Sequence, residues 1–100
     1  MTDLDAFRAS TASSDRPPAG ATPAVQALWW LHRGDWTRAH KCVQAHEGER
    51  DCDSVHAHLH RQEGDLANAG YWYRRAGRPM PKDQTLEQEW TALTTELLAR

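Results

Sequence analysis

Two Gly-Asp pairs, Gly34-Asp35 and Gly64-Asp65, stand 30 residues apart and constrain this 100-residue chain more than any other feature. Glycine closes a helix by taking up the left-handed conformation, and an aspartate just after it caps the next helix. The surroundings repeat as well. Gly34-Asp35-Trp36-Thr37-Arg38-Ala39 matches Gly64-Asp65-Leu66-Ala67-Asn68-Ala69 at a spacing of 30, and Leu31-His32-Arg33 matches Leu59-His60-Arg61 at a spacing of 28. One helix-turn-helix unit is therefore used twice. Such a unit cannot bury its apolar face alone, so stacking of the two must supply the core.

The remaining boundaries follow from caps and periodicity. Thr22-Pro23 is an N-cap followed by proline in the first turn, and predicts a helix over 23–32. Asp35 opens a second helix that runs to about His46. A third starts near Asp51 or Asp53 and ends near Gln62, and a fourth covers 66–76 with Leu66, Ala69, Gly70, Tyr73 and Ala76 on one face. Thr85 and Gln88 form a capping-box pattern that opens a fifth helix. Residues 1–21, rich in Ser, Thr, Ala, Asp and Pro, read as a flexible arm ahead of a single helical domain over 22–100. Composition agrees: no Ile and three Val disfavour strands, while fifteen Ala favour helix and close packing, with five Trp to fill volume. The expectation is an all-α fold of five helices, two hairpins and a C-terminal capping helix.

The second unit resembles the second half of a tetratricopeptide (TPR) repeat. Gly64, Asp65, Ala69, Tyr73, Ala76 and Pro81 fall at that family's turn, small, aromatic and terminal positions. In the first unit Gly34, Asp35, Trp36, Ala39 and Val43 do so, with His46 where the pattern has Ala. The chain is also similar to small bacterial helical proteins that carry the block Leu59-His60-Arg61, Glu63-Gly64-Asp65, Asn68-Ala69 and Tyr71 to Gly77. The TPR resemblance spans about Pro23 to Pro81, and it implies stacked helical hairpins and a protein-binding role.

Bulk properties exclude several function classes. A net charge of -2 and a pI near 6.3 do not suit a nucleic-acid binder. No stretch is long and apolar enough for a membrane span. Asp3 and Asp5 interrupt the start of the chain, so no secretory signal is expected. Two cysteines, Cys42 and Cys52, suit a reducing cytoplasm better than a disulfide scaffold, although their placement beside a turn leaves a bridge conceivable. No nucleophile elbow, P-loop or dinucleotide fingerprint is present. Cys42 has His46 one turn later, without any group to orient the pair.

Two sets of residues carry candidate chemistry. Trp30, Asn68, Tyr71, Trp72, Arg74, Arg75 and Arg78 combine aromatic and guanidinium groups, the composition of interface hot spots. They point to an interaction module, rather than an enzyme, that binds a protein partner or a second copy of itself. Residues 66–82 add Arg74, Arg75, Arg78 and Lys82 without an acid, a local +4. Residues 83–100 hold four acids against Arg100, a local -3, which predicts antiparallel docking of the last two helices. The rival set lies on the third helix, where Asp53, His56, His60 and Glu63 share one arc. Two histidines one turn apart plus a carboxylate suit a divalent metal such as zinc. The plainer reading of the same residues is packing of His60 at an aromatic position of the repeat, with no cofactor.

Overall fold

The computed structural model describes residues 3–100 and, among them, places six helices and no strand. They are α1 (Leu4–Ser13), α2 (Pro23–His32), α3 (Trp36–Gln44), α4 (Arg50–Gln62), α5 (Leu66–Ala76) and α6 (Leu86–Leu98). No helix among the described residues is long and apolar enough to cross a membrane.

The two Gly-Asp devices are built alike. After α2, the Gly34 and Asp35 amides donate to Leu31 and Trp30 carbonyls; after α4, Gly64 and Asp65 donate to Arg61 and His60. Both are Schellman closures, with Gly34 at φ 93° and Gly64 at φ 84°. Each aspartate then accepts from the amide three residues on, Arg38 at 3.0 Å and Asn68 at 3.2 Å. The Thr85–Gln88 capping box is present at the start of α6. Cys42 and Cys52 are both free thiols.

The N-terminal segment departs from expectation. Residues 1–21 read as a flexible arm, but α1 forms within it, capped by Asp3 and packed against α2 and α6. Phe7 is fully buried, its ring 6.2 Å from that of Trp90. Trp29 Nε1 donates to Ser10 Oγ at 2.9 Å. A ten-residue helix with a single large buried apolar side chain is held by tertiary contact, which local sequence does not reveal. Met1 and Thr2 of that arm lie outside the described residues.

A second correction concerns the C-terminal helices. α6 packs against α1, α2 and α4, while α5 packs closely against α4 and reaches α6 through side chains, the Tyr73 hydroxyl on Glu89 among them. The opposite charges of α5 and α6 meet only through long side chains, chiefly Arg78, whose guanidinium forks onto Glu96 from just beyond α5. Leu66, expected on the packed face of α5, is 57% exposed.

α4 occupies the centre. Every residue from Cys52 to Leu59, and His60 after them, is buried. Its apolar members, Cys52, Val55 and Leu59, join the main core with Leu28, Trp29, Val43 and Trp90. Ala57 joins a smaller cluster with Ala69, Trp72 and Tyr73. The other buried members of α4 are Asp53, Ser54, His56, His58 and His60, an unusual content for a central helix. A buried polar group without a partner costs about 1–3 kcal/mol, so each of these must find one inside the fold.

Candidate metal centre

Four of the five find ordinary partners. Asp53 accepts from the Gly48 amide at 3.1 Å and lies 3.8 Å from the Arg75 guanidinium. Ser54 donates to the Arg50 carbonyl and accepts from Arg78 Nε at 2.7 Å. His58 Nδ1 donates to Glu89 at 2.7 Å, and His60 Nδ1 to Glu63 at 2.7 Å. His56 meets only another imidazole: its Nε2 is 3.1 Å from Nε2 of His40, and its Nδ1 is buried without a partner.

The arrangement follows from the hairpins. Antiparallel helices bring together residues equidistant from the turn. About Gly48, His40 mirrors His56 and Trp36 mirrors His60, and both pairs touch, with ring centroids 4.8 and 6.0 Å apart. About Gly64, His60 mirrors Asn68 and His56 mirrors Trp72. Asn68 Nδ2 lies 3.4 Å from His60 Nε2, and Trp72 stacks on His56 at 3.9 Å. Trp36 stacks on His40 at 4.8 Å and donates its Nε1–H to the Leu59 carbonyl. Three imidazoles are thus gathered between α3, α4 and α5 and fixed by two indoles.

One ring nitrogen from each of His40, His56 and His60 can be chosen so that all three lie within 4.8 Å of one another. Tetrahedral zinc with Zn–N of about 2.0–2.1 Å needs N···N separations of about 3.3 Å. The His40–His56 pair is already near that spacing, with the two Nε2 atoms 3.1 Å apart. Burial lowers the pKa of His40, with His60 adding to the effect. Burial, then His40 and His60, brings that of His56 down to about 4. Both rings are neutral at pH 7, the form that ligates a metal. His60 Nδ1 faces Glu63 at 2.7 Å, and a carboxylate behind a histidine is a common support for a ligand.

Of the residues expected at a metal site, His56 and His60 come together, Glu63 stands behind His60, and Asp53 is elsewhere, engaged by Gly48 and Arg75. His40 was not expected. Its signal is the equal spacing of His40 and His56 about Gly48, which becomes readable once the hairpin turn is placed. His60, Glu63 and Asp65 form a second, mostly exposed group.

The expected interface residues are dispersed. Trp72 is buried, Asn68 is half-buried beside His60, and Trp30 is half-buried with the Arg33 and Arg38 guanidinium groups against its ring. Arg78 is engaged by Ser54 and Glu96. Tyr71, Arg74 and Arg75 remain exposed on α5, with Arg75 donating to the Tyr71 hydroxyl at 3.0 Å. Burial pushes the Cys42 thiol up and that of Cys52 to about 12, opposite to the shift an activated nucleophile needs.

A buried carboxylate organises the other side of α4. Glu89 of α6 accepts from His58, from Tyr73 Oη at 2.6 Å and from Arg61 at 2.9 Å. Burial alone raises its pKa, but hydrogen bonds from His58 and Tyr73, with Arg61, outweigh it and hold the carboxyl below the usual range.

Compared with family models, curated proteins and solved structures, the chain matches none of them.

Proposed function

We propose that this protein binds a divalent transition metal through His40, His56 and His60. The observation that carries the reading is the approach of three imidazoles, one ring nitrogen from each within 4.8 Å of the others and the His40 and His56 Nε2 atoms 3.1 Å apart. A cation replaces that imidazole-to-imidazole hydrogen bond with coordinate bonds. All-imidazole donors favour zinc, copper or nickel over magnesium or calcium. Three protein ligands leave a fourth position for a non-protein ligand, the arrangement of reactive rather than purely structural zinc sites. Untagged protein titrated with zinc should hold one ion per chain by elemental analysis. His40 is half-buried and not part of the main core, so His40→Ala should fold and lose the ion. Zinc well below one per chain, or unchanged in His40→Ala, removes the reading.

A second reading, an interaction module of TPR-like type, is favoured by the outer face of α5. There Tyr71 is 42% exposed and stands edge-on to Trp72, with Arg75 over both rings and Arg74 beside it. An acidic protein partner suits that face. Its binding should be lost in Tyr71→Ala and Arg75→Ala; a partner that binds both variants unchanged uses another surface.

A further inference from the structure

The metal reading leaves one neighbour unexplained, Asn68. Its side-chain amide faces His60 Nε2 at 3.4 Å. In the neutral ring that donates Nδ1–H to Glu63, Nε2 is the acceptor, which matches the Asn68 NH2 group that faces it. This bond is long, and it occupies the lone pair that His60 would present to a metal. A metal at Nε2 takes that lone pair. The Asn68 amide then loses its acceptor while remaining beside the coordination sphere, with Trp72 one turn along α5 walling the same side against His56.

A donor left without a partner beside a metal with one open position selects what fills that position. We infer that the fourth ligand is a small oxygen-donor anion, of the carboxylate or hydroxide class, and that Asn68 is the residue that holds it by hydrogen bonding to its oxygen. The inference rests on the His40–His56–His60 metal site. The reasoning is chemical complementarity. The three protein ligands are neutral, so a divalent ion keeps its full +2 charge and attracts an anion. Among the described residues, the only protein acid bonded to the imidazole cluster, Glu63, is committed to His60 Nδ1. The nearest donor is an amide, which hydrogen-bonds an oxygen anion and does not compete with it for the metal.

Cobalt(II) replaces zinc with retention of geometry and reports its coordination sphere by visible absorption, so the cobalt-loaded protein titrated with acetate is the test. Saturable spectral change with acetate is expected in the wild type. In Asn68→Ala, acetate affinity should fall about tenfold or more, the loss expected when a hydrogen bond to a charged ligand is removed. Cobalt stoichiometry and the far-UV dichroism should stay as in the wild type, and cobalt without acetate should bind no more weakly, since the amide no longer competes for His60 Nε2. A cobalt spectrum indifferent to acetate overturns the inference, as does an Asn68→Ala protein that binds acetate as tightly as the wild type. Weaker cobalt binding in Asn68→Ala with acetate affinity unchanged also overturns it, since Asn68 would then only support His60. Absence of any cobalt spectrum before acetate is added refutes the metal site itself, and this inference with it.

Discussion

Replacing Glu89 by alanine should cost about 4 kcal/mol of folding stability. The carboxylate is 5% exposed and accepts three hydrogen bonds, from His58 at 2.7 Å, Tyr73 at 2.6 Å and Arg61 at 2.9 Å. His58 and Tyr73 are themselves buried, so its removal leaves an N–H and an O–H without acceptors, at about 1–3 kcal/mol each. Arg61 keeps some contact with water and its bond to the Gln84 carbonyl, so its share is smaller. The total agrees with the about 3–5 kcal/mol typical of breaking a buried pair from one side. Against a whole-domain stability of about 5–15 kcal/mol, that is enough to leave the variant marginal.

The assay is urea unfolding followed by far-UV dichroism, in EDTA, with an unchanged m-value as the condition for comparison. Glu89→Gln keeps the volume and one acceptor but loses the charge, so its cost should be about half that of alanine. A double-mutant cycle makes the test specific. Tyr73→Phe should be costly in the wild type and nearly free in Glu89→Ala, because the hydroxyl has already lost its partner. The carboxyl is held below its ordinary range in the folded protein, so its contribution is complete above the unfolded carboxylate pKa and is lost as pH falls through the folded one. Glu89→Gln should lack that acid limb. A cost below about 1 kcal/mol for Glu89→Ala would refute the reasoning, and with it the claim that this carboxylate ties α5 and α6 to α4.

In the metal-free protein the His56 pKa is depressed to about 4, so folding stability should already fall between pH 6.5 and 4, by about 2.5 kcal/mol at pH 4.5. His56→Phe, compared with the wild type at both pH values, should lack that increment; an equal loss in both proteins would contradict the burial argument. Zinc at 100 times its dissociation constant should stabilise the wild type by about 2.7 kcal/mol in a thermal melt and leave His40→Ala unmoved. An equal rise in both would place the ion elsewhere. Phe7→Ala should destabilise by about 3–5 kcal/mol in urea, as expected for a fully buried core ring; an effect near zero would mean that α1 is not docked in solution.

Much of the fold is readable from punctuation. Thr22-Pro23, the two Gly-Asp pairs and the Thr85–Gln88 box place the start or end of α2 to α6, because caps satisfy backbone groups locally and leave a local signature. Two helix ends shift: α3 stops at Gln44 rather than near His46, and α4 begins at Arg50. α1 escapes because its stability comes from Phe7 meeting Trp90, 83 residues away in sequence. The docking of α6 escapes for a related reason. Net charge describes two segments, whereas packing is decided by which face is apolar, and Trp90, Leu93 and Leu97 fit the groove over α2 and α4 rather than α5.

The histidines are the instructive case. His56 and His60 are visible as a pair one turn apart, but their meaning depends on what faces them, which only the hairpin geometry supplies. Once Gly48 and Gly64 are taken as mirror points, His40, Asn68, Trp36 and Trp72 fall into place around them without further assumption. The same geometry supports a conclusion that composition cannot. A central helix with five buried polar side chains needs five sets of partners, and α4 obtains four of them from a backbone amide, a serine-directed arginine and two carboxylates. For His56 the fold supplies an indole on one face and another neutral imidazole at Nε2. A core selected only for stability would place an apolar ring there, since volume-matched hydrophobic replacements for buried polar groups are often neutral or stabilising. Three imidazoles close together at that point are what the proposed metal site would use instead.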